Sequence, residues 1–89
     1  DVDLTANARY WLGESYYVVR DFDRALEAFQ SVIDNHSGSR KHPDALLKMG
    51  YVHLEQDRRE EGREALQTVI DDFPDSTAAS LASTRLDEL

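Results

Sequence analysis

The chain contains no cysteine, which excludes a disulfide framework, a thiolate zinc site and a dithiol redox motif, and leaves the compartment open. Its four glycines never gather into a phosphate-cradling loop. No apolar run approaches the roughly 18 residues needed to cross a bilayer. Basic residues are also scarce: 10 against 18 acidic ones give a formal charge of -8. That balance repels phosphate backbones and anionic membrane surfaces, and it steers a cationic partner inward. With 89 residues there is room for one domain and one small core, and too little for a large enclosed active site. The chain opens on Asp1, without an initiating Met or a signal-peptide pattern. It therefore reads as a processed product or, as we expect, a fragment of something longer.

What the sequence does have is a copy of itself. A shift of 37 positions carries EAFQSVIDN, starting at Glu27, onto EALQTVIDD, starting at Glu64. The same shift takes Ala8 to Ala45, Gly13 to Gly50, Ser39 to Ser76 and Ala45 to Ala82. The chain is two copies of one unit and the beginning of a third. Each copy reads as two helices. Ala8, Leu12, Tyr16 and Val19 recur at helical spacing, then Ala25, Ala28, Phe29, Val32 and Ile33 do so after the break at DFD. Asp21 is placed to cap the second helix. In the second copy Asp57, with Glu60 three residues on, predicts a capping box before Ala65, Leu66, Val69 and Ile70. HSGSRKHP joins the copies and ends in Pro43, suited to a first helical turn. Ser76 is placed to cap a last helix containing Leu81 and Leu86. No segment shows the period-two alternation of a strand, so five helices are expected.

The residues Leu12-Gly13-x-x-Tyr16 and Ala25-x-x-x-Phe29, repeated as Met49-Gly50-x-x-His53 and Gly62-x-x-x-Leu66 with Pro74 closing, resemble the tetratricopeptide repeat (TPR) pattern. Glycine inside a helix costs about 1 kcal/mol against alanine. Its presence at 13 and 50 therefore argues that two helices touch there, with Ala25 or Gly62 as the reciprocal small surface. The expected fold is all-α: a right-handed superhelical stack of two helix-turn-helix repeats, about 5–37 and 43–74, with a capping helix over about 76–88. The pattern is departed from at Arg9 and Leu46, where Trp is usual, at Ser37, where Pro is usual, and in a period longer than the common one of about 34.

The longer period, with ARYWLGESYY, PDALLKMGY and the closing FPDSTAASLASTRL, is similar more narrowly to the C-terminal repeat domains of the Tol-Pal system YbgF (CpoB) family. That resemblance implies a periplasmic protein with an upstream trimerising coiled coil. It also implies binding to TolA and a role in coordinating peptidoglycan synthesis with outer-membrane constriction during division. Outer-membrane assembly lipoproteins built from similar repeats are the alternative relatives.

On this pattern the side carrying Ala8, Leu12 and Tyr16 is expected in the core against Phe29 and Val32. Tyr10, Glu14 and Tyr17 form a different stripe, and the repeat shift maps them to Leu47, Tyr51 and Leu54. In a TPR stack that stripe lines the concave groove, where exposed aromatics mark a binding surface. The expected partner contacts are Asn7, Tyr10, Glu14, Tyr17, Leu47, Lys48, Tyr51 and Leu54, with Arg85 closing one end. Tyr17 or Leu54 could instead serve packing between repeats, and Trp11 reads as either a rim contact or a plug between helices. Tyr10 and Glu14 stand where some relatives carry the Lys and Asn of a carboxylate clamp, leaving Lys48 and Arg85 as its remnants.

Nothing else suggests chemistry. His36, His42 and His53 lack metal-ligand spacing. Asp21 with Asp23, and Asp71 with Asp72, fall at turns and helix ends, where capping or solvation accounts for them. Ser15 and Ser31 have no nucleophile context, and DRREEGRE reads as a solvated helix face. The expectation is a non-enzymatic interaction module with no cofactor. It would be monomeric at micromolar concentration and take a peptide or helix, a basic segment of TolA for instance. The competing expectation is a structural element in which another copy buries the same stripe.

Overall fold

The computed structural model describes residues 2–89, with side chains from Leu4 onward. Five helices follow in order: α1 (Val2–Val18), α2 (Phe22–Asn35), α3 (His42–Glu55), α4 (Arg59–Asp72) and α5 (Thr77–Asp87). Each packs on its sequence neighbours, and α3 also touches α5. The layered slab measures 37 × 30 × 17 Å. The all-α helix-turn-helix architecture expected from the repeat is the observed one.

The repeat extends to the hydrogen bonds of the turns. After α1, the Arg20 and Asp21 amides donate to the carbonyls of Tyr17 and Tyr16; after α3, those of Asp57 and Arg58 donate to Leu54 and His53. The residue that makes this reversal is left-handed in both copies, Arg20 at φ 64° and Asp57 at φ 62°. Neither is glycine, so each turn carries backbone strain that a β-carbon imposes. The longer junctions repeat as well: His36 and Phe73 donate to Val32 and Val69, and Ser39 and Ser76 to His36 and Phe73.

The caps divide. Asp21 accepts from the Arg24 amide at 3.3 Å, and Ser76 from the Ala79 amide at 3.0 Å, as the sequence predicts. The capping box expected at Asp57 and Glu60 does not form. Asp57 is consumed by the left-handed reversal, and α4 starts after Arg58 without a side-chain cap.

Two clusters make the core. Ala6, Tyr10, Ala25, Phe29, Val32, Ala45, Met49 and Val52 form the first. Leu47, Leu66, Val69, Ala78, Ala79 and Ala82 form the second. α3 serves both, one side against α2 and the other against α4 and α5. The glycines sit where helices touch. A β-carbon on Gly50 would meet Leu66 at 2.8 Å, and one on Gly62 would meet Leu54 at 2.7 Å.

One expectation about α1 is reversed at Ala8 and Leu12, while Tyr16 is half-buried against the first cluster as expected. The core side of α1 is Ala6, Tyr10 and Gly13, with Tyr17 half-buried in line. Ala8 and Leu12 face outward, Leu12 at 49 % exposure, and Val19 in the following turn is exposed as well. The equivalent positions in α3, Ala45 and Met49, are buried because α2 lies on them. The TPR pattern marks them as core for that reason, and among the described residues no helix lies on Ala8 and Leu12 in the same way.

Candidate functional site

The first helices of the three units, α1, α3 and α5, line a concave pocket of about 330 Å³. Tyr17 comes from α1, Tyr51 and Glu55 from α3, and Leu81, Thr84, Arg85 and Glu88 from α5. Successive turns of a helix present residues three and four apart on one side, so a 37-residue repeat lays equivalent stripes side by side.

Charges border the aromatic floor. Lys48 Nζ lies 3.3 Å from Glu14 Oε2, with both side chains mostly shielded. The same ammonium sits 6.0 Å from the Tyr17 ring centre and 5.6 Å from that of Tyr51. Arg85 reaches Glu88 at 3.5 Å, and Glu55 reaches Arg20 at 3.4 Å. Burial, above all, raises the pKa of Tyr17 and of Tyr51. Both phenols are therefore neutral donors and acceptors at physiological pH. Glu14 Oε1 and Arg85 Nε are shielded from solvent and have no hydrogen-bond partner. One unused acceptor and one unused donor thus flank the tyrosines, the complement of a polypeptide's own N–H and C=O groups.

The structure divides the expected contact residues. Glu14, Tyr17, Lys48, Tyr51 and Arg85 come together around the pocket. Asn7 is half-buried on α1. Tyr10 and Leu47, expected on the groove surface, are core residues, at 7 % and 3 % exposure. Tyr10 packs its ring on Phe29 at 5.6 Å between centroids, and burial raises its pKa strongly. Leu54 is half-buried against Gly62 and serves packing within its own repeat. Trp11 is half-exposed and does not line the pocket; it stands edge-on to Tyr10 at 5.2 Å and beneath the Lys41 ammonium at 5.5 Å.

Glu55, Leu81, Thr84 and Glu88 line the pocket without having been singled out in the sequence. Three of them carried a signal. A second application of the shift takes Tyr10 and Leu47 to Thr84, Glu14 and Tyr51 to Glu88, and Asn7 through Asp44 to Leu81. Glu55 aligns with Val18, and that pairing marks nothing.

Other features offer no chemistry. Among the described residues no group of three His, Cys, Asp or Glu side chains could hold a metal ion, and no helix is long and apolar enough to cross a membrane. His53 and Leu46 line a shallow outer cleft beside Glu61 and Glu64. Burial first, then Arg58, lowers the His53 pKa, with Glu61 opposing.

The tetratricopeptide repeat family model matches residues 19–86, from the turn after α1 to the last turn of α5. No curated relative matches the chain significantly. Repeats of this kind mediate protein–protein interaction and are not catalysts.

Proposed function

Since the chain belongs to the tetratricopeptide repeat family, we propose that it holds a helical segment of another protein in the groove between α1, α3 and α5. The observation that carries this reading is the placement of Tyr17, Tyr51 and Arg85 around one open pocket. Half-buried tyrosines beside an arginine whose Nε is shielded from solvent are the side chains that anchor protein interfaces. The partner is basic. The chain's excess of eight negative charges draws in a Lys-rich segment and sets the approach rate, while the tyrosines set the residence time.

The setting we propose is the periplasm, within the Tol-Pal system, with a Lys- and Ala-rich helix of TolA as the ligand and cell-envelope constriction as the process served. Support comes from the likeness of ARYWLGESYY, PDALLKMGY and FPDSTAASLASTRL to that family and from the acidic surface. The test is surface-binding kinetics with a Lys- and Ala-rich helical peptide at two salt concentrations. Binding that fails with the parent chain, or that is unchanged in folded Tyr17→Ala and Tyr51→Ala variants, removes the groove assignment.

A further inference from the structure

The groove pocket sits where α1, α3 and α5 end. Tyr17 lies in the last turn of α1, Glu55 is the last residue of α3, Arg85 lies in the last turn of α5 and Glu88 caps it. Three helix C-termini thus converge on one cavity of about 330 Å³. Each presents roughly half a negative charge on its last carbonyls. Side-chain charge adds to this. Among the described residues Glu55 and Glu88 line the cavity with a single cation, Arg85. Lys48 and Glu14 beside it neutralise each other at 3.3 Å. Both lining glutamates are exposed, and their partners Arg20 and Arg85 bind them at 3.4 and 3.5 Å from side chains that are themselves 66 % and 43 % exposed. The cavity therefore has an aromatic floor and a negative rim.

We propose that this cavity seats one lysine side chain of the partner helix, an assignment that rests on the groove reading above. The four-carbon stem of that lysine lies along the rings of Tyr17 and Tyr51 and covers Leu81, which stands 49 % exposed on α5. Its ammonium reaches the carboxylates of Glu55 and Glu88. Electron-rich ring faces attract a cation, and more strongly once water is excluded. The chain's own Lys48 already places an ammonium 6.0 and 5.6 Å from the centres of the same two rings.

The alternatives fit less well. An acidic side chain would meet two glutamates and three negative helix ends, with Arg85 as its one lining counter-charge. An apolar side chain would cover the rim carboxylates and leave their charge uncompensated. An arginine fork favours both oxygens of one carboxylate, whereas the compact ammonium divides its three donors between carboxylates on two different helices. Such a contact differs from the long-range attraction of the acidic surface. Covered by the partner, it is screened little by salt and acts on residence more than on approach.

The test uses two alanine-based helical peptides that differ at one central position, lysine in one and norleucine in the other, with glutamine as their remaining polar residue. Norleucine keeps the stem and removes the charge. In calorimetric titrations of the whole chain the lysine peptide should bind roughly five- to tenfold more tightly. A Glu55→Gln, Glu88→Gln double variant, folded by circular dichroism, should bring that ratio close to one. Asp75→Asn removes one negative charge at the opposite end of α5 and should leave the ratio unchanged. Tyr17→Ala tests the groove separately and should weaken both peptides. Equal binding of the two peptides, with both weakened by Tyr17→Ala, would overturn the lysine seat and leave the groove reading standing. A lysine preference that survives in the double variant, or that Asp75→Asn abolishes, would also overturn the seat. Binding of neither peptide, or binding of both that Tyr17→Ala leaves untouched, would overturn the seat and the groove reading together.

Discussion

The Phe29 ring lies so close to Gly13 that a β-carbon there would stand 2.6 Å from Phe29 Cε1. Helix propensity alone favours Gly13→Ala by about 1 kcal/mol. The ring is fully buried and cannot yield, so packing reverses the sign, and Gly13→Ala should destabilise by about 1 to 3 kcal/mol. Gly50→Leu, against Leu66, should cost a similar amount. Gly38 has nothing within 4 Å of the same position and no positive φ. Gly38→Ala should therefore be neutral or stabilising by a few tenths of a kcal/mol. Urea titration of the three variants orders them.

Asp57 provides a gain rather than a loss. It holds φ at 62° in a reversal where glycine bears no steric cost, and its side chain is exposed. Asp57→Gly should stabilise by about 0.5 to 1 kcal/mol, seen as a higher urea midpoint with unchanged slope. Arg20→Gly should gain less. Arg20 also pairs with Glu55 and covers the Phe22 ring at 4.9 Å, and those contacts would be lost.

The acid side of the stability profile depends on His53. Its folded-state pKa lies below the ordinary value of 6.5, so between the two the unfolded chain binds more protons than the folded one. Stability is then full above pH 6.5 and falls as pH drops from there toward the folded-state pKa. His53→Tyr restores the residue found at the equivalent Tyr16. It should flatten the loss between about pH 7 and 5, a window set by the ordinary histidine pKa. Thermal melts of both chains across that range check it, and parallel profiles would show that His53 plays no part.

The five helices and their order were legible because a 37-residue shift constrains every element twice. Gly13 and Gly50 gave away the close contacts for the same reason, since two glycines at equivalent helical positions call for a packing cause. The facing of α1 was not legible. Leu12 and Met49 are equivalent by pattern, yet their burial is decided by whether a helix lies outside them, which the pattern does not record. Tyr10 illustrates the converse: its stripe reaches the groove at Glu14 and Tyr17, but its own ring is large enough to reach Phe29 and belongs to the core. Asp57 misled because capping and left-handed reversal favour the same residue types, and the chain uses it for the second.

The groove separates approach from residence, and salt and mutation should act on different rates. Surface charges on an acidic domain attract a basic helix over distances that salt cuts to about 8 Å at physiological ionic strength. Raising salt should then lower the association rate several-fold and leave dissociation nearly unchanged. Tyr17 and Tyr51 act after contact. Burying one more phenol ring contributes on the order of 1 to 2 kcal/mol, so Tyr17→Ala and Tyr51→Ala should each raise the dissociation rate by roughly five- to thirtyfold. Lys48 is a different case, because its ammonium already neutralises Glu14 at 3.3 Å. Lys48→Met keeps the stem over the two rings but removes that counter-charge, leaving a shielded carboxylate for the partner's lysine to meet. A basic peptide should consequently bind Lys48→Met more tightly than the parent, whereas an acidic peptide should bind it less well. Surface-binding kinetics with both peptides read the two signs directly. Equal weakening of both would mean that Lys48 supports the fold of the groove and not its electrostatic preference.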